Sequence, residues 1–195
     1  FELALLDYME KNLGASSYAV FSNKCWPAFE KYFGFTPCYI NGHLAQQGIP
    51  ISCESDIYGA LSEYVVTCAT MLPPAILDIN NTVPYDMIEE AKGQVRDYSP
   101  HDLWMGFHCG NTSSSCMATS MMKYQLIMHR MMEPGAEPNI TRGTLEGQIR
   151  SGPVSIFRLQ ATSEAILAAY VANGEVLDIN PKSFGSIGVF AVKEM

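Results

Sequence analysis

Ile51-Ser52-Cys53-Glu54-Ser55-Asp56-Ile57-Tyr58-Gly59-Ala60-Leu61 decides how this chain is read. The run from Ile49 to Cys53 has the apolar character of a short buried strand. From Ile57 the apolar residues switch to helical spacing, at 57, 60, 61, 64, 65 and 68. That predicts a helix over 57–70 with this face in the core. Glu54 then occupies the turn between strand and helix, and Asp56 the helix's first charge, favoured there by the dipole. A second apolar run, Pro74-Ala75-Ile76-Leu77-Asp78, ends on another acid. Strand, helix, strand is a βαβ rhythm, which sets Glu54 and Asp78 side by side beyond strand ends, where open α/β sheets bind ligands. Two carboxylates there can hold a hard divalent cation that polarises sugar-type oxygens. A plainer reading also fits: a first-turn acid at Glu54, and a turn residue at Asp78 opening the Asn80-Asn81 loop.

Upstream, Leu3, Leu6, Met9 and Leu13 mark a helix ending near Asn12, with Gly14 as its C-cap. Tyr18 to Phe21 reads as a strand, Pro27 to Tyr32 as a helix closed by Gly34, and Pro37 to Asn41 as another strand before a turn or short helical loop over 42–47. Pro73-Pro74 marks the clearest boundary. Residues 1–72 therefore read as the end of a doubly wound α/β (Rossmann-like) domain.

Downstream the texture changes. A short helix is expected over 88–95, a strand over 104–109 and a loop over 113–115. The methionines from Met117 to Met132 lie in a helix-competent run and read as adaptable packing. After Thr141, short alternating segments follow at 144–149, 154–159, 166–171, 176–179 and 188–192. Asn173-Gly174 between two of them is a hairpin signal. Residues 73–195 thus read as a small antiparallel β-barrel domain.

The composition narrows the function classes. Of 195 residues, 48% are hydrophobic and 16% charged, which suits a packed globular chain. The net charge of −8, without a basic stripe, argues against nucleic acid and anionic membranes as partners. No apolar run approaches the roughly 18 residues that span a bilayer. Six cysteines without a CxxC pair read as reduced buried thiols of a cytoplasmic protein, spaced wrongly for structural zinc. The N-x-[ST] triplets at Asn80, Asn111 and Asn139 carry no weight without a secretory signal. The chain opens at Phe1 within a helix pattern and stops just after a strand pattern, which reads as an excised portion of a longer protein.

Together, Cys25-Trp26-Pro27, Cys53 to Leu61, Leu77-Asp78 and His108-Cys109-Gly110-Asn111 resemble the L-fucose isomerase and L-arabinose isomerase superfamily, more narrowly its fucose-isomerase-like branch. The resemblance covers most of the chain. It implies an α/β domain followed by a β-barrel domain with the active site between, and metal-dependent aldose–ketose isomerisation through an enediol. For Glu54 and Asp78 it implies both Mn²⁺ ligation and proton transfer.

His108 is the third metal candidate; equally, it binds substrate or packs. The ligating His of fucose isomerases lies further along, in a segment this chain does not reach, whereas His108 matches the nearer His of the arabinose-isomerase pattern. Lys24, Trp26 and Asn111 are the substrate-binding candidates, with Trp26 and Trp104 as a wall for a sugar's carbon face or as core. His43, His101 and His129 read as structural or exposed. The expectation is a cytoplasmic homo-oligomer acting on a monosaccharide, this portion alone being inactive. The alternative is a non-catalytic sugar-binding or interaction module that keeps the fold.

Overall fold

The computed structural model describes residues 1–25, 28–80, 83–95, 97–125, 141–180 and 183–192. α1 (Glu2–Asn12) stops where expected, with Gly14 at φ +60° turning the chain away. The strand expected from Tyr18 begins only at Phe21. β1 (Phe21–Ser22) pairs in parallel with β2 (Ile51–Ser52), Phe21 opposite Ile51 and Ser22 opposite Ser52. Between them lie α2 (Ala28–Phe33), ended by Gly34 at φ +72°, and α3 (Cys38–Gln46). α4 (Ile57–Thr70) follows β2 over the predicted span.

α3 replaces the strand expected at 37–41. Pro37 stands at its N-cap, and Cys38, Asn41, Leu44 and Ala45 recur at helical spacing and are buried. So short an apolar run does not separate the two periods. Close packing decided it: a Cβ on Gly42 would stand 2.7 Å from the Thr112 carbonyl oxygen.

α4 presents a larger departure. Its expected core face points outward, with Ile57 73% exposed and Leu61 and Val65 also exposed. Of that face only Ala60 is buried, and Gly59, Ser62 and Glu63 are buried beside it. Polar contacts set this rotation. The Asp56 carboxylate caps the helix through the Gly59 amide at 2.8 Å and pairs with both Arg158 guanidinium nitrogens at 2.5 and 3.0 Å. One turn on, the Ser62 hydroxyl accepts from the Leu159 amide at 2.8 Å.

The remainder comprises β3 (Asp78–Asn80), α5 (Tyr85–Glu90), α6 (Lys92–Val95), β4 (Leu103–His108), β5 (Met121–Gln125), β6 (Thr141–Gln148), β7 (Gly152–Ala161), β8 (Leu167–Leu177) and β9 (Ser186–Ala191). β9 is its centre. It runs antiparallel to β4 along its whole length, parallel to β6 at Ser186 and Ile187, and antiparallel to β8 from Val189 to Ala191. Every residue of β9 is buried. Leu103, Val189, Ala191, Met87 and Val95 form one core cluster; Phe190, Val176, Ile149, Leu145 and Met117 form another.

Three expectations change here. The order β3-β4-β9-β6-β5 leaves β3 and β5 as edges, so the described strands form an open sheet and no closed barrel. The fold is mixed α/β with a β-rich sheet. Next, Asn173-Gly174 lies inside β8, opposite Ser155 and Val154, and the hairpin turns at 162–166 instead. A Cβ on Gly174 would stand 2.6 Å from the Ala191 carbonyl oxygen, so this glycine serves the close approach of β9 rather than a turn. Last, Met121 and Met122 belong to a strand with exposed side chains, while Met117 alone of the described methionines in that run is core. Met128, Met131 and Met132, like His129, lie outside the described residues.

Candidate functional site

The turn joining β2 to α4 is tightly built. The Asp56 amide donates to the Cys53 carbonyl at 3.0 Å, and the Ser52 hydroxyl to the Asp56 carbonyl at 2.7 Å. Within it Glu54 (φ 60°) and Ser55 (φ 59°) both adopt the left-handed conformation, which costs a non-glycine residue roughly 1 kcal/mol or more. The Glu54 side chain is exposed on this turn.

Asp78 arrives differently from the βαβ expectation. Pro73 and Pro74 offer no N–H to a ladder, and Ala75 makes only an isolated bridge to Thr112. Asp78 opens β3 rather than closing a strand, exposed and opposite Phe107 on antiparallel β4. Asp78 thus lies beside the end of β4. Downstream of β4, Cys38 and then burial raise the Cys109 thiol pKa, the Glu54 charge being the least of the causes.

His108 ends β4 and is 6% exposed. Register partners share a face and neighbours alternate, so Asp78 stands on the Phe107 face and His108 on the other. The His108 Nδ1 accepts from the Asn111 amide at 3.2 Å, which leaves the proton of a neutral ring on Nε2. Asn111 is buried; its side-chain amide donates to the Ile51 carbonyl at 3.1 Å and to Cys53 Sγ at 3.2 Å. It ties the end of β4 to β2.

Two asparagines that the sequence did not single out extend this tie. Asn41, fully buried on α3, donates to Cys53 Sγ at 3.7 Å and accepts from Asn23 at 2.9 Å. A polar residue inside an apolar run was the only sequence signal for Asn41. Lys24 is exposed beside buried Cys25, and Trp26 lies outside the described residues. His43 stacks on Tyr39 and bonds to Gln47 on the α3 surface, while His101 is exposed in the turn Pro100–Asp102.

The two carboxylates have the hard-oxygen chemistry that Mn²⁺ takes. His108, with Nδ1 engaged and its side chain across the sheet from Asp78, does not complete a set with them as it stands. Among the described residues no three His, Cys, Asp or Glu side chains are placed to hold one metal ion. A polar cleft of about 220 Å³ lined by Lys123, Glu146 and Gln148 lies by the start of β9 and includes none of these three residues.

Residues 106–195 match the family model described as L-fucose isomerase, C-terminal domain. The C-terminal part of this chain is thus similar to that domain. It is 26% identical over 198 residues to a sulfoquinovose isomerase of Alkalicoccus urumqiensis, covering 100% of this chain and 38% of the relative. It is 29% identical to one of Clostridium sp. (strain MSTE9), over 91% of this chain and 34% of that protein, and 25% identical to one of Priestia aryabhattai, over 92% and 35%. The chain thus spans about a third of the length of these relatives. The matched model begins within β4, so it takes in His108 and Asn111, while the strained Glu54 turn and Asp78 precede it.

Proposed function

We propose that this chain serves a metal-dependent aldose–ketose isomerase working through an enediol. The observation that supports the reading is the strained turn that holds Glu54 exposed between β2 and α4, with Asp78 exposed beside the end of β4. Isomerisation moves one proton between C1 and C2 and another between O1 and O2, so it needs carboxylates that accept and return protons at fixed positions. Glu54, on a rigid turn, takes and returns the carbon-bound proton; Asp78 serves the oxygens. A divalent cation, Mn²⁺ in this reading, would be held by Glu54 and Asp78 and would supply charge stabilisation for the enediolate. His108 joins as a ligand only if its ring gives up the Asn111 amide.

The substrate in this reading is a monosaccharide of the L-fucose or L-arabinose type, to which the relatives' name adds a sulfonated hexose. Lys24, Trp26 and Asn111 are proposed at the substrate, Asn111 by fixing the strand end. The protein is proposed to be a cytoplasmic homo-oligomer with no nucleic-acid or membrane partner; among the described residues no helix is long and apolar enough to cross a membrane. Residues 1–72 and 73–195 are proposed as its two domains.

A second reading, a sugar-binding module without turnover, draws on the unassembled three-ligand set. The whole protein assayed with Mn²⁺ on L-fucose, L-arabinose and sulfoquinovose distinguishes them. Glu54→Gln is expected to lower kcat by ~10³ or more, and Asp78→Asn to weaken Mn²⁺ binding strongly. Ketose formation unaffected in Glu54→Gln would remove the proposed chemistry. Sugar binding without turnover in the unaltered protein would favour the module.

A further inference from the structure

Register places Asp78, Phe107, Ile187 and Gln148 in one row across β3, β4, β9 and β6, on a single face of the sheet. Glu146 lies on that face two residues before Gln148, and Lys123 joins it from β5, opposite Thr144. Further along β9 the same face is the apolar core around Leu103, Val189 and Ala191. At the start of β9 it turns polar and opens into the cleft of about 220 Å³. The walls of the cleft are pinned by bonds of their own. The Ala118 amide donates to the Gln148 carbonyl at 2.8 Å, the Gly147 amide to the Gly185 carbonyl at 3.0 Å, and the Gln148 side-chain amide to the Ile179 carbonyl at 3.0 Å. A Cβ on Gly147 would collide with the Thr119 carbonyl, so the chain before β5 lies directly on β6 there.

The groups lining the cleft define what it takes. Glu146 is 5% exposed, a carboxylate set into the floor. The half-exposed Lys123 ammonium stands 3.6 Å from it, an ion contact longer than a hydrogen bond. The two charges balance, so an anion is opposed by Glu146 and a cation by Lys123, while a neutral ligand meets neither repulsion. Gln148, with Nε2 spent on the Ile179 carbonyl, keeps Oε1 as an acceptor. Asn180 and the hydroxyls of Thr119 and Ser183 both donate and accept, and Ile187 adds a small apolar surface. The volume lies below the roughly 300 Å³ at which sites for drug-sized, mainly apolar ligands begin. We propose that this cleft is a second binding site, for a small neutral polyol such as a monosaccharide or sugar alcohol. Each hydroxyl of such a ligand offers one donor and two acceptor lone pairs, which suits a lining of mixed donors and acceptors. Glu54, Asp78 and His108 are not part of it. Binding here needs neither a metal nor turnover, so it stands independently of the isomerase reading.

The test is calorimetric titration of the whole protein with xylitol in the presence of EDTA, which strips divalent cations from the proposed isomerase centre. Saturable binding with a Kd on the order of 1 mM is expected for so small a ligand in a polar cleft. Asp78→Asn should leave that Kd within about twofold, because it lies outside the lining. Lys123→Met and Asn180→Ala should each weaken binding by about tenfold, the loss of a hydrogen bond or two. Ser183→Trp, at an exposed position, should abolish binding by filling the cleft. Xylitol should also slow acetylation of Lys123 by a succinimidyl ester, read by peptide mapping, while Lys11 on α1 reacts unchanged. Circular dichroism reports whether each variant folds, and protection of Lys123 in the unaltered protein decides the matter for any that does not. An absence of saturable heat up to ~100 mM xylitol, binding lost in Asp78→Asn, tighter binding of inorganic sulfate than of xylitol, or an unprotected Lys123 would overturn the proposal.

Discussion

β9 and α4 carry the clearest apolar patterns in the chain, and they use them in opposite ways. β9 is flanked on both edges, by β4 and by β6 and β8, and all its residues are buried. α4 leaves Ile57, Leu61 and Val65 outside and buries Ser62 and Glu63. A strand in mid-sheet has its orientation set by two ladders of backbone bonds. A helix satisfies its own backbone, so its rotation is set by whichever side chains find partners. Here Asp56 and Ser62 found them on β7.

The contrast can be broken most forcefully in the sheet core. Leu103, 1% exposed against Val189, should lose about 3 kcal/mol on replacement by Ala. Urea unfolding measures this, and a loss under about 1 kcal/mol would mean the β9 core is looser than described.

Glu63 offers a sharper probe of α4. Burial, and secondarily the Asp56 charge, push its carboxyl up to about 8, and its Oε2 has no hydrogen-bond partner. The folded form keeps its proton where the unfolded chain, near 4.5, has released it. Stability therefore falls as pH rises from about 4.5 to about 8 and levels off above. Glu63→Gln should match the original protein near pH 5 and exceed it at pH 8 by on the order of 2 kcal/mol, a figure reduced for relaxation around the site. Parallel pH–stability curves for the two proteins would exclude a neutral Glu63 in the fold.

Asp56→Ala should cost about 1–2 kcal/mol, since it removes a helix cap and a half-exposed ion pair together. Burial pushes the Asp56 carboxyl up, but Arg158 and the Gly59 and Tyr58 amides hold it below its ordinary value. With the folded value depressed, this stabilisation is present above about 3.8 and lost as pH falls through the folded value. Thermal melts of original and variant should therefore converge in acid. The smallest effect belongs to the face first assigned to the core: Ile57→Ala should change unfolding free energy by less than about 0.5 kcal/mol. A loss above 2 kcal/mol would show that something covers α4 in the working protein.

Within the candidate site, the sequence was legible where structure is local. The Glu54 turn follows from a strand run meeting a helical run, and α4 keeps its predicted span. Asp78 was found by a βαβ pattern that does not exist here; its place by the β4 end comes from antiparallel pairing with Phe107. The Asn23–Asn41–Cys53–Asn111 tie had almost no signal, because its members belong to four separate segments and find one another only when those segments meet.

The sequence by itself determined the helix at 57–70, most strand positions after 141, and the acid held between β2 and α4. These depend on spacing, turn residues and neighbours within a few positions. Only the tertiary structure decided that 37–41 is helix, that Asn173-Gly174 stays in a strand, that the sheet remains open, and that α4 turns its polar side inward. Each of those outcomes rests on a contact between residues far apart in the chain: Gly42 on Thr112, Gly174 on Ala191, β9 between β4 and β8, and Asp56 on Arg158. Local periodicity carries no information about such partners, because the energy that selects them arises only when the segments meet.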